Sequence, residues 1–233
     1  AGIAKGSGMI HPNMATMLCF LTTDVSIQPE LLQSALKRVA DDTFNMISID
    51  GDTSTNDMAC ILASGKAGNP EIDKQDKYYE MFCNALYVLM MNLSRDIAAD
   101  GEGATKLLEC HVTGAPDEAS AKAVAKAVIQ SSLFKAAMFG ADANWGRILC
   151  AVGYADAEFN IDDVRVDLAS ARGCIHVCEH GAGVPFSEEK AKDILLEDEI
   201  KIIIELGNGM YSAVAWGCDL TYDYVKINGD YRT

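Results

Sequence analysis

Residues 5–18 read Lys-Gly-Ser-Gly-Met-Ile-His-Pro-Asn-Met-Ala-Thr-Met-Leu, a polar turn that runs into an apolar segment. The glycines leave the backbone near Lys5 conformationally free, and the Pro-Asn pair predicts a sharp turn. Met17 then begins a strand-like apolar run. The pattern therefore presents the hydroxyl of Thr16 at the junction between a loop and a strand.

The Ala15–Thr16 peptide bond suits self-cleavage, because Ala15 is small enough to let another group approach it. Cleavage would leave Thr16 as a new N-terminus, whose amine can act as general base for its own hydroxyl. An α-amino group has an unperturbed pKa of about 7.7–8.0, so it exchanges protons at neutral pH. The residue types alone leave open that Thr16 is only a structural strand residue.

Four further segments extend the pattern over the rest of the chain. They are DGDTSTNDM at 50–58, DGEGATK at 100–106, NWGRI at 144–148 and KINGDYRT at 226–233. With KGSGMIHPNMATML, in this order, they resemble the bifunctional ornithine acetyltransferase/N-acetylglutamate synthase family of arginine biosynthesis. The resemblance runs from Lys5 to the last residue.

The resemblance implies a set of site residues. On residue types alone, a glutamate between two glycines and a lysine near a turn are usually solvated, and the last residues of a chain usually fray. Matched to the motifs of the family, they become substrate contacts. The implied set is Thr16 as nucleophile and substrate-binding residue, Lys5, Glu102, Asn228 and Thr233 as substrate-binding residues, and Ala15–Thr16 as the cleavage site.

The resemblance also implies a reaction and an assembly. The reaction moves acetyl from N2-acetylornithine to glutamate through an acetyl-threonine intermediate, with acetyl-CoA as a further donor for N-acetylglutamate synthesis. No cofactor is implied. The family's oxyanion hole is a Thr-Gly pair on a segment upstream of this chain, so the expected partner is the upstream alpha chain of the same precursor, in a heterotetramer of two alpha and two beta chains.

Two rival classes stay open at this point. Aminopeptidases and amidohydrolases with a self-processed N-terminal nucleophile share this plan and pass the acyl group to water. A non-catalytic domain, in which Thr16 is structural and the acidic surface serves binding, is the remoter rival.

Composition limits the partners. The formal net charge is −15, from 34 acidic and 19 basic residues, and no basic run is present to contact nucleic-acid phosphates. Apolar stretches such as 85–91 are too short to span a bilayer. The eight cysteines are spread through a chain large enough to need no disulfides, and several lie in apolar runs, so we expect buried thiols in a reducing cytoplasm. The expected ligands are small molecules: N-acetylornithine, ornithine and glutamate.

Helical and strand patterns alternate along the whole chain. This predicts an α/β or α+β protein with sheets covered by helices. The family resemblance implies the α+β class, a layered α/β sandwich with a smaller C-terminal α/β lobe. Gly114-Ala-Pro-Asp is the candidate boundary between a nucleophile-bearing lobe, 1–115, and a C-terminal lobe, 116–233. Predicted helices are 29–42, 73–99, 117–131, 144–153 and 187–195; predicted strands are 17–23, buried on both faces, and 46–49, 57–63, 106–113, 164–169, 173–179, 200–206 and 210–216.

Two segments concentrate potential metal ligands. The turn 50–57 fails the spacing of a calcium loop, leaves magnesium on one or two aspartates open, and is better explained as support for Thr16, with Asp52 as the first residue to test. Cys174, His176, Cys178 and His180 alternate along a predicted strand, but four donors spread over about 20 Å cannot meet one ion. Zinc on two of them remains the alternative to an ordinary sheet face, and no metal site is predicted.

Overall fold

The computed structural model describes residues 1–11 and 17–230. The strands are β1 (Gly2–Lys5), β2 (Leu18–Thr23), β3 (Ile47–Ser48), β4 (Met58–Ala63), β5 (Leu107–Ala115), β6 (Arg165–Ser170), β7 (Gly173–Glu179), β8 (Ala182–Gly183), β9 (Glu199–Glu205) and β10 (Tyr211–Cys218). The helices are α1 (Pro29–Asp41), α2 (Lys77–Ala99), α3 (Glu118–Gln130), α4 (Ser132–Phe139), α5 (Trp145–Gly153), α6 (Glu188–Leu195) and α7 (Tyr222–Asp230).

A three-stranded sheet, in the order β1-β2-β4, carries the residues that follow the motif at 5–18. Strand β1 pairs antiparallel with β2, and β2 pairs parallel with β4. Side chains alternate across β2: Cys19 and Leu21 are buried, whereas Leu18 and Phe20 are 40% and 45% exposed. The prediction that this strand is buried on both faces is wrong, because helix α2 packs against only one face of the sheet, next to Gly2.

A mixed seven-stranded sheet, in the order β3-β10-β5-β9-β6-β7-β8, forms the larger layer. Helix α3 packs on one face, where Gly217 lets Ile129 approach closely. Helix α2 lies on the other face, and its Arg95 pairs with the buried Glu109 of β5 at 3.0 Å. The prediction of an α+β sandwich with helix-covered sheets is confirmed. The lobe boundary at 115/116 stays a prediction, and this sheet includes strands from both sides of it.

Helix α2 leads directly into the glycine turn at 101–103. It begins after Asp76, whose carboxylate accepts hydrogen bonds from the amides of Tyr78 and Tyr79. Its buried residues recur at helical spacing and face the core. The helix ends at Ala99, and Gly101 lies so close to Cys218 that a larger residue there would clash with the sulfur. The position of Glu102 is thus fixed by the end of a well-packed helix.

Two helices differ from the sequence-based expectations. Helix α4 follows α3 almost without interruption, and Ser131 caps it by accepting the amide hydrogen of Phe134. Helix α7 forms in a segment for which no helix was predicted, and none of its residues is buried. Among the described residues, no helix is both long and apolar enough to cross a bilayer.

Candidate functional site

Glu102 is held against the first glycine-rich loop. Its amide donates to the carbonyl oxygen of Ser7 at 2.8 Å. Its carboxylate lies over Gly8 so closely that a Cβ on Gly8 would be 2.4 Å from the carboxyl carbon. The next residue, Gly103, has a φ of +68°, which turns the chain sharply after the carboxylate. Two glycine-containing motifs therefore meet at one acidic side chain.

Asn228 completes this contact from helix α7. Its side-chain amide donates to Glu102 Oε2 at 2.9 Å and to the backbone oxygen of Tyr224 at 3.1 Å. The hydroxyl of Thr221 donates to the Gly103 carbonyl at 2.6 Å, which fixes the start of α7 on the glycine turn. The structure thus brings together two predicted site residues, Glu102 and Asn228, that are 126 positions apart.

Asp50 connects the same loop to the second motif. Its carboxylate accepts hydrogen bonds from the amides of Met9 and Ile10 at 2.6 and 3.0 Å. Met9 has a φ of +53°, a conformation that costs energy for a residue with a side chain, so these bonds hold a strained turn. Tyr224 of α7 lies 3.5 Å from the same carboxylate through its hydroxyl. The sequence analysis did not single out Asp50 or Tyr224 as residues of this site.

Acidic groups dominate the electrostatics of this cluster. Partial burial, together with the carboxylates of Asp50, Asp52 and Glu102, raises the pKa of Tyr224 to about 12. The phenol therefore stays protonated at neutral pH and can serve as a hydrogen-bond donor. A site lined by carboxylates favours a cationic ligand group such as an ammonium.

His11 ties the end of the loop to helix α3. The side-chain amide nitrogen of Gln130 lies 2.7 Å from its ring nitrogens. Burial and Lys126 lower the pKa of His11 to about 4, against the opposing effect of Asp50 and Asp52. The imidazole is consequently neutral at physiological pH.

Asp57 lies beside the start of β2, directly before β4. Its carboxylate accepts a hydrogen bond from the backbone amide of Met17. Burial raises the pKa of Asp57 to about 6, against the opposing effect of that hydrogen bond. By contrast, the side chain of Asp52 is exposed, and its one hydrogen bond to a described residue is from its backbone amide to Asp50. Among the described residues, Asp50 and Asp57 accept the hydrogen bonds from Met9, Ile10 and Met17, and the supporting role of Asp52 stays a prediction.

The remaining predicted site residues are distributed as follows. Lys5 is exposed at the end of β1 and lines a pocket of about 280 Å³ with Asp96 and Asp100 of α2. Ala15, Thr16 and Thr233 lie outside the described residues, so the cleavage site, the nucleophile and the C-terminal contact stay predictions.

The histidine and cysteine segment in β7 has another role. His176 lies 2.6 Å from an oxygen of Asp167 and 2.7 Å from one of Glu179, and His180 lies 2.8 Å from the Asp162 carbonyl. In residues 1–11 and 17–230, no group of three or more histidine, cysteine or acidic residues could hold a metal ion. All eight cysteines are free, and Cys150 and Cys174 are exposed rather than buried as expected.

The fold and this cluster define a layered α+β protein in which two glycine turns and a C-terminal helix converge on one carboxylate. The family model described as "ArgJ family" matches residues 1–233. The chain belongs to the ArgJ family.

Individual relatives agree with this assignment. The arginine biosynthesis bifunctional protein ArgJ 1 of Clostridium acetobutylicum is 54% identical over 231 residues, 99% of this chain and 57% of the relative. The ArgJ protein of Caldanaerobacter subterraneus is 53% identical over 232 residues, 100% of this chain and 58% of the relative. The chain therefore spans a little over half the length of these relatives.

A solved structure confirms the fold class. The crystal structure of the arginine biosynthesis bifunctional protein argJ from Bacillus halodurans superimposes with a TM-score of 0.84 at 46% identity. The match covers 91% of this chain and 98% of that crystallised chain.

Proposed function

We propose that this chain carries the nucleophile and much of the substrate site of a glutamate N-acetyltransferase. The Thr16 hydroxyl attacks the acetyl carbonyl of N2-acetylornithine, and its proton passes by way of the Thr16 amine to the departing ornithine nitrogen. Acetyl-Thr16 remains. The amine of glutamate then attacks this ester, and the proton it loses returns to the threonine oxygen. Acetyl-CoA is a second donor to the same hydroxyl.

The contact between Glu102 and Asn228 is the observation that carries this proposal. It joins two of the motifs that resemble the family, and Glu102 is bonded through its amide to Ser7 in a third. A carboxylate with a neighbouring amide can bind an ammonium group, while Lys5 can hold a carboxylate as a point charge. The substrates of the proposed reaction are amino acids that present both kinds of group.

Self-cleavage at Ala15–Thr16 is part of the proposal. The crystallised relative is covered to 98% by this chain, whereas the curated relatives are covered to 57–58%. The crystallised chain is therefore much shorter than those sequences, as expected for one product of a cut precursor. After such a cut, β1 would belong to the upstream product and remain paired with β2.

The upstream chain is the proposed partner, in an assembly of two alpha and two beta chains in the cytoplasm. It would supply the oxyanion hole, whose donors are each worth about 10²–10³ in rate in a well-studied protease. The outward face of the three-stranded sheet supports a partner there, because it exposes a contiguous apolar surface. That surface comprises Ile3, Leu18, Phe20, Met58 and Leu62.

Trapping the acyl-enzyme tests the proposal. The full-length protein is mixed with N2-acetylornithine labelled in the acetyl group, quenched in acid and digested. We expect the label on the peptide that begins at Thr16, and its release as N-acetylglutamate when glutamate is added.

Two variants serve as controls. Thr16→Ala should remain folded and acquire no label, whereas Thr16→Ser should retain part of the activity because it keeps a hydroxyl. A label on any other residue contradicts the proposal. Release of the label mainly as free acetate in the presence of glutamate would instead identify a hydrolase.

A further inference from the structure

Met17 has both of its peptide groups fixed by the start of strand β4. The amide of Met58 donates to the Met17 carbonyl at 2.8 Å, which begins the parallel ladder between β2 and β4. On the other side, the Met17 amide donates to Oδ1 of Asp57. The side chain of Asp57 thus takes the place of a backbone acceptor where the ladder starts.

The second oxygen of this carboxyl group is unusual. Oδ2 of Asp57 is buried and has no hydrogen-bond partner among the described residues. A buried polar atom without a partner costs on the order of 1–3 kcal/mol, so its retention calls for a functional reason. Removal from water is also what raises the pKa of Asp57 to about 6, and no charged side chain of the described residues contributes to the shift.

Covalent geometry relates this carboxyl group to the proposed nucleophile. The nitrogen of Met17 that Asp57 holds is bonded to the carbonyl carbon of Thr16. The Cα of Thr16 is therefore only two bonds from the held atom, roughly 2.4 Å away. Any proton acceptor for the Thr16 hydroxyl must act beside this peptide group, and Asp57 is the carboxyl group that the described residues show in contact with its nitrogen.

Self-cleavage poses a chemical problem that the mature mechanism does not solve. In the mature chain the free amine of Thr16 can accept the hydroxyl proton. In the uncut chain the same nitrogen is an amide and has no basic lone pair. The first attack of the hydroxyl on the Ala15 carbonyl therefore needs a different proton acceptor.

We propose that Asp57 is this acceptor: its carboxylate takes the Thr16 hydroxyl proton during self-cleavage while it holds the Thr16–Met17 peptide in place. The threonine oxygen bonds to the Ala15 carbonyl carbon. The bond from that carbon to the Thr16 nitrogen breaks, and the nitrogen receives the proton from Asp57. Water then hydrolyses the resulting ester and frees the Ala15 carboxylate and the Thr16 hydroxyl. The inference rests on the proposed function, which supplies Thr16 and the cleavage site.

Cleavage kinetics of the full-length precursor, made by cell-free synthesis, test the inference. In the wild type the cleavage rate should rise with the ionised fraction of Asp57 and reach half its maximum near pH 6. Asp57→Asn should cut at least a hundredfold more slowly, within the range of a lost proton acceptor, and without this pH dependence. The amide oxygen of Asn can still accept the Met17 hydrogen bond, so thermal unfolding should report an intact fold.

Matched controls separate this inference from the proposed function. Asp24→Asn removes an exposed carboxylate just past the opposite end of β2 and should cleave at the wild-type rate. The small fraction of Asp57→Asn that does cleave should transfer acetyl, per cleaved chain, within a few-fold of the wild type.

The outcomes are distinguishable. Wild-type cleavage by the Asn variant, or a wild-type rate that is constant between pH 5 and 7, overturns the role of Asp57 even if Thr16 is acetylated. Cleavage that depends on Asp57, followed by no acetylation of Thr16, supports the role of Asp57 and instead removes the transferase proposal.

Discussion

At the scale of single residues, the site depends on a carboxylate packed over a residue without a side chain. Gly8 leaves room for the Glu102 carboxylate, which in turn accepts the hydrogen bond from Asn228. The clash that a methyl group would create is with the flexible end of a side chain rather than with backbone. Gly8→Ala should therefore displace the carboxylate and leave the fold intact.

We expect Gly8→Ala to raise the KM for N2-acetylornithine at least tenfold, with unfolding free energy changed by less than about 1 kcal/mol. Steady-state kinetics and thermal unfolding of the full-length protein measure the two effects. The matched control is Gly153→Ala, where the added Cβ meets open space at the end of α5. Unchanged KM in the Gly8 variant would show that the Glu102 carboxylate does not bind substrate.

The same scale shows what could be inferred from sequence. Glu102 could be identified from sequence because its flanking glycines and the family motif point to one residue. Asp50 and Asp57 could not be identified from sequence, because the turn at 50–57 contains several chemically similar oxygens. Only the three-dimensional structure shows which of them contact the loop. Asp57 contacts the amide of Met17 because β4 starts directly after it and pairs with β2. Tyr224 was not identified, because it lies two residues before the motif at 226–233.

At the scale of elements, helix α7 depends on the turn that follows α2. Gly103 has a φ of +68°, and a Cβ there would lie 2.5 Å from the backbone nitrogen of Tyr224. Gly103→Ala therefore adds strain and pushes α7 away from Glu102. Gly68→Ala is a matched control, because Gly68 has a φ of +75° and open space around it.

Both alanine variants should lose about 1–2 kcal/mol from the unfavourable backbone conformation alone. Only Gly103→Ala should also reduce the rate of acetyl transfer, by at least tenfold, because Asn228 moves with α7. Chemical denaturation and initial rates of both variants check this comparison. Equal activities of the two variants would show that the packing of α7 against the glycine turn does not contribute to catalysis.

The elements themselves were largely predictable where a periodic apolar face exists. Helix α2 begins at Lys77 rather than 73 because Asp76 caps it, which propensity alone does not locate. Helix α7 was missed for a different reason: it has only nine residues, includes Gly229 and buries none of its side chains against the core. Its existence depends on the hydroxyl of Thr221 and the side chain of Asn228, which are tertiary contacts with 102–103.

At the scale of the whole molecule, the loop at 6–11 is hydrogen-bonded to the turn between β3 and β4 and to a helix of the larger layer. Its carbonyl groups and amides bond to the motif at 50–53, and His11 contacts helix α3 of the large sheet. Two titratable groups, His11 in this loop and Asp57 directly before β4, change the stability of the fold in opposite directions as the pH changes. The pKa of His11 is lowered to about 4 by burial and Lys126, while the pKa of Asp57 is raised to about 6 by burial.

The sign of each contribution follows from proton linkage. An unfolded histidine titrates near pH 6.5, so between about 6.5 and 4 the unfolded chain binds more protons at His11, and its stabilising contribution is lost as pH falls. At Asp57 the folded chain binds more protons between about 4 and 6, so stability is lost as pH rises through that window. The wild-type curve should be flattened because the two effects oppose each other.

Substitution should separate these two opposing contributions. In His11→Gln, unfolding free energy should be less sensitive to acid, so its difference from wild type changes by on the order of 1 kcal/mol between pH 6.5 and 4, allowing for partial exposure. Above pH 7.5 the difference should be constant, which is the internal control. Urea unfolding at half-unit pH steps measures it. A difference that stays constant down to pH 4 would mean that burial does not hold His11 neutral in the folded protein.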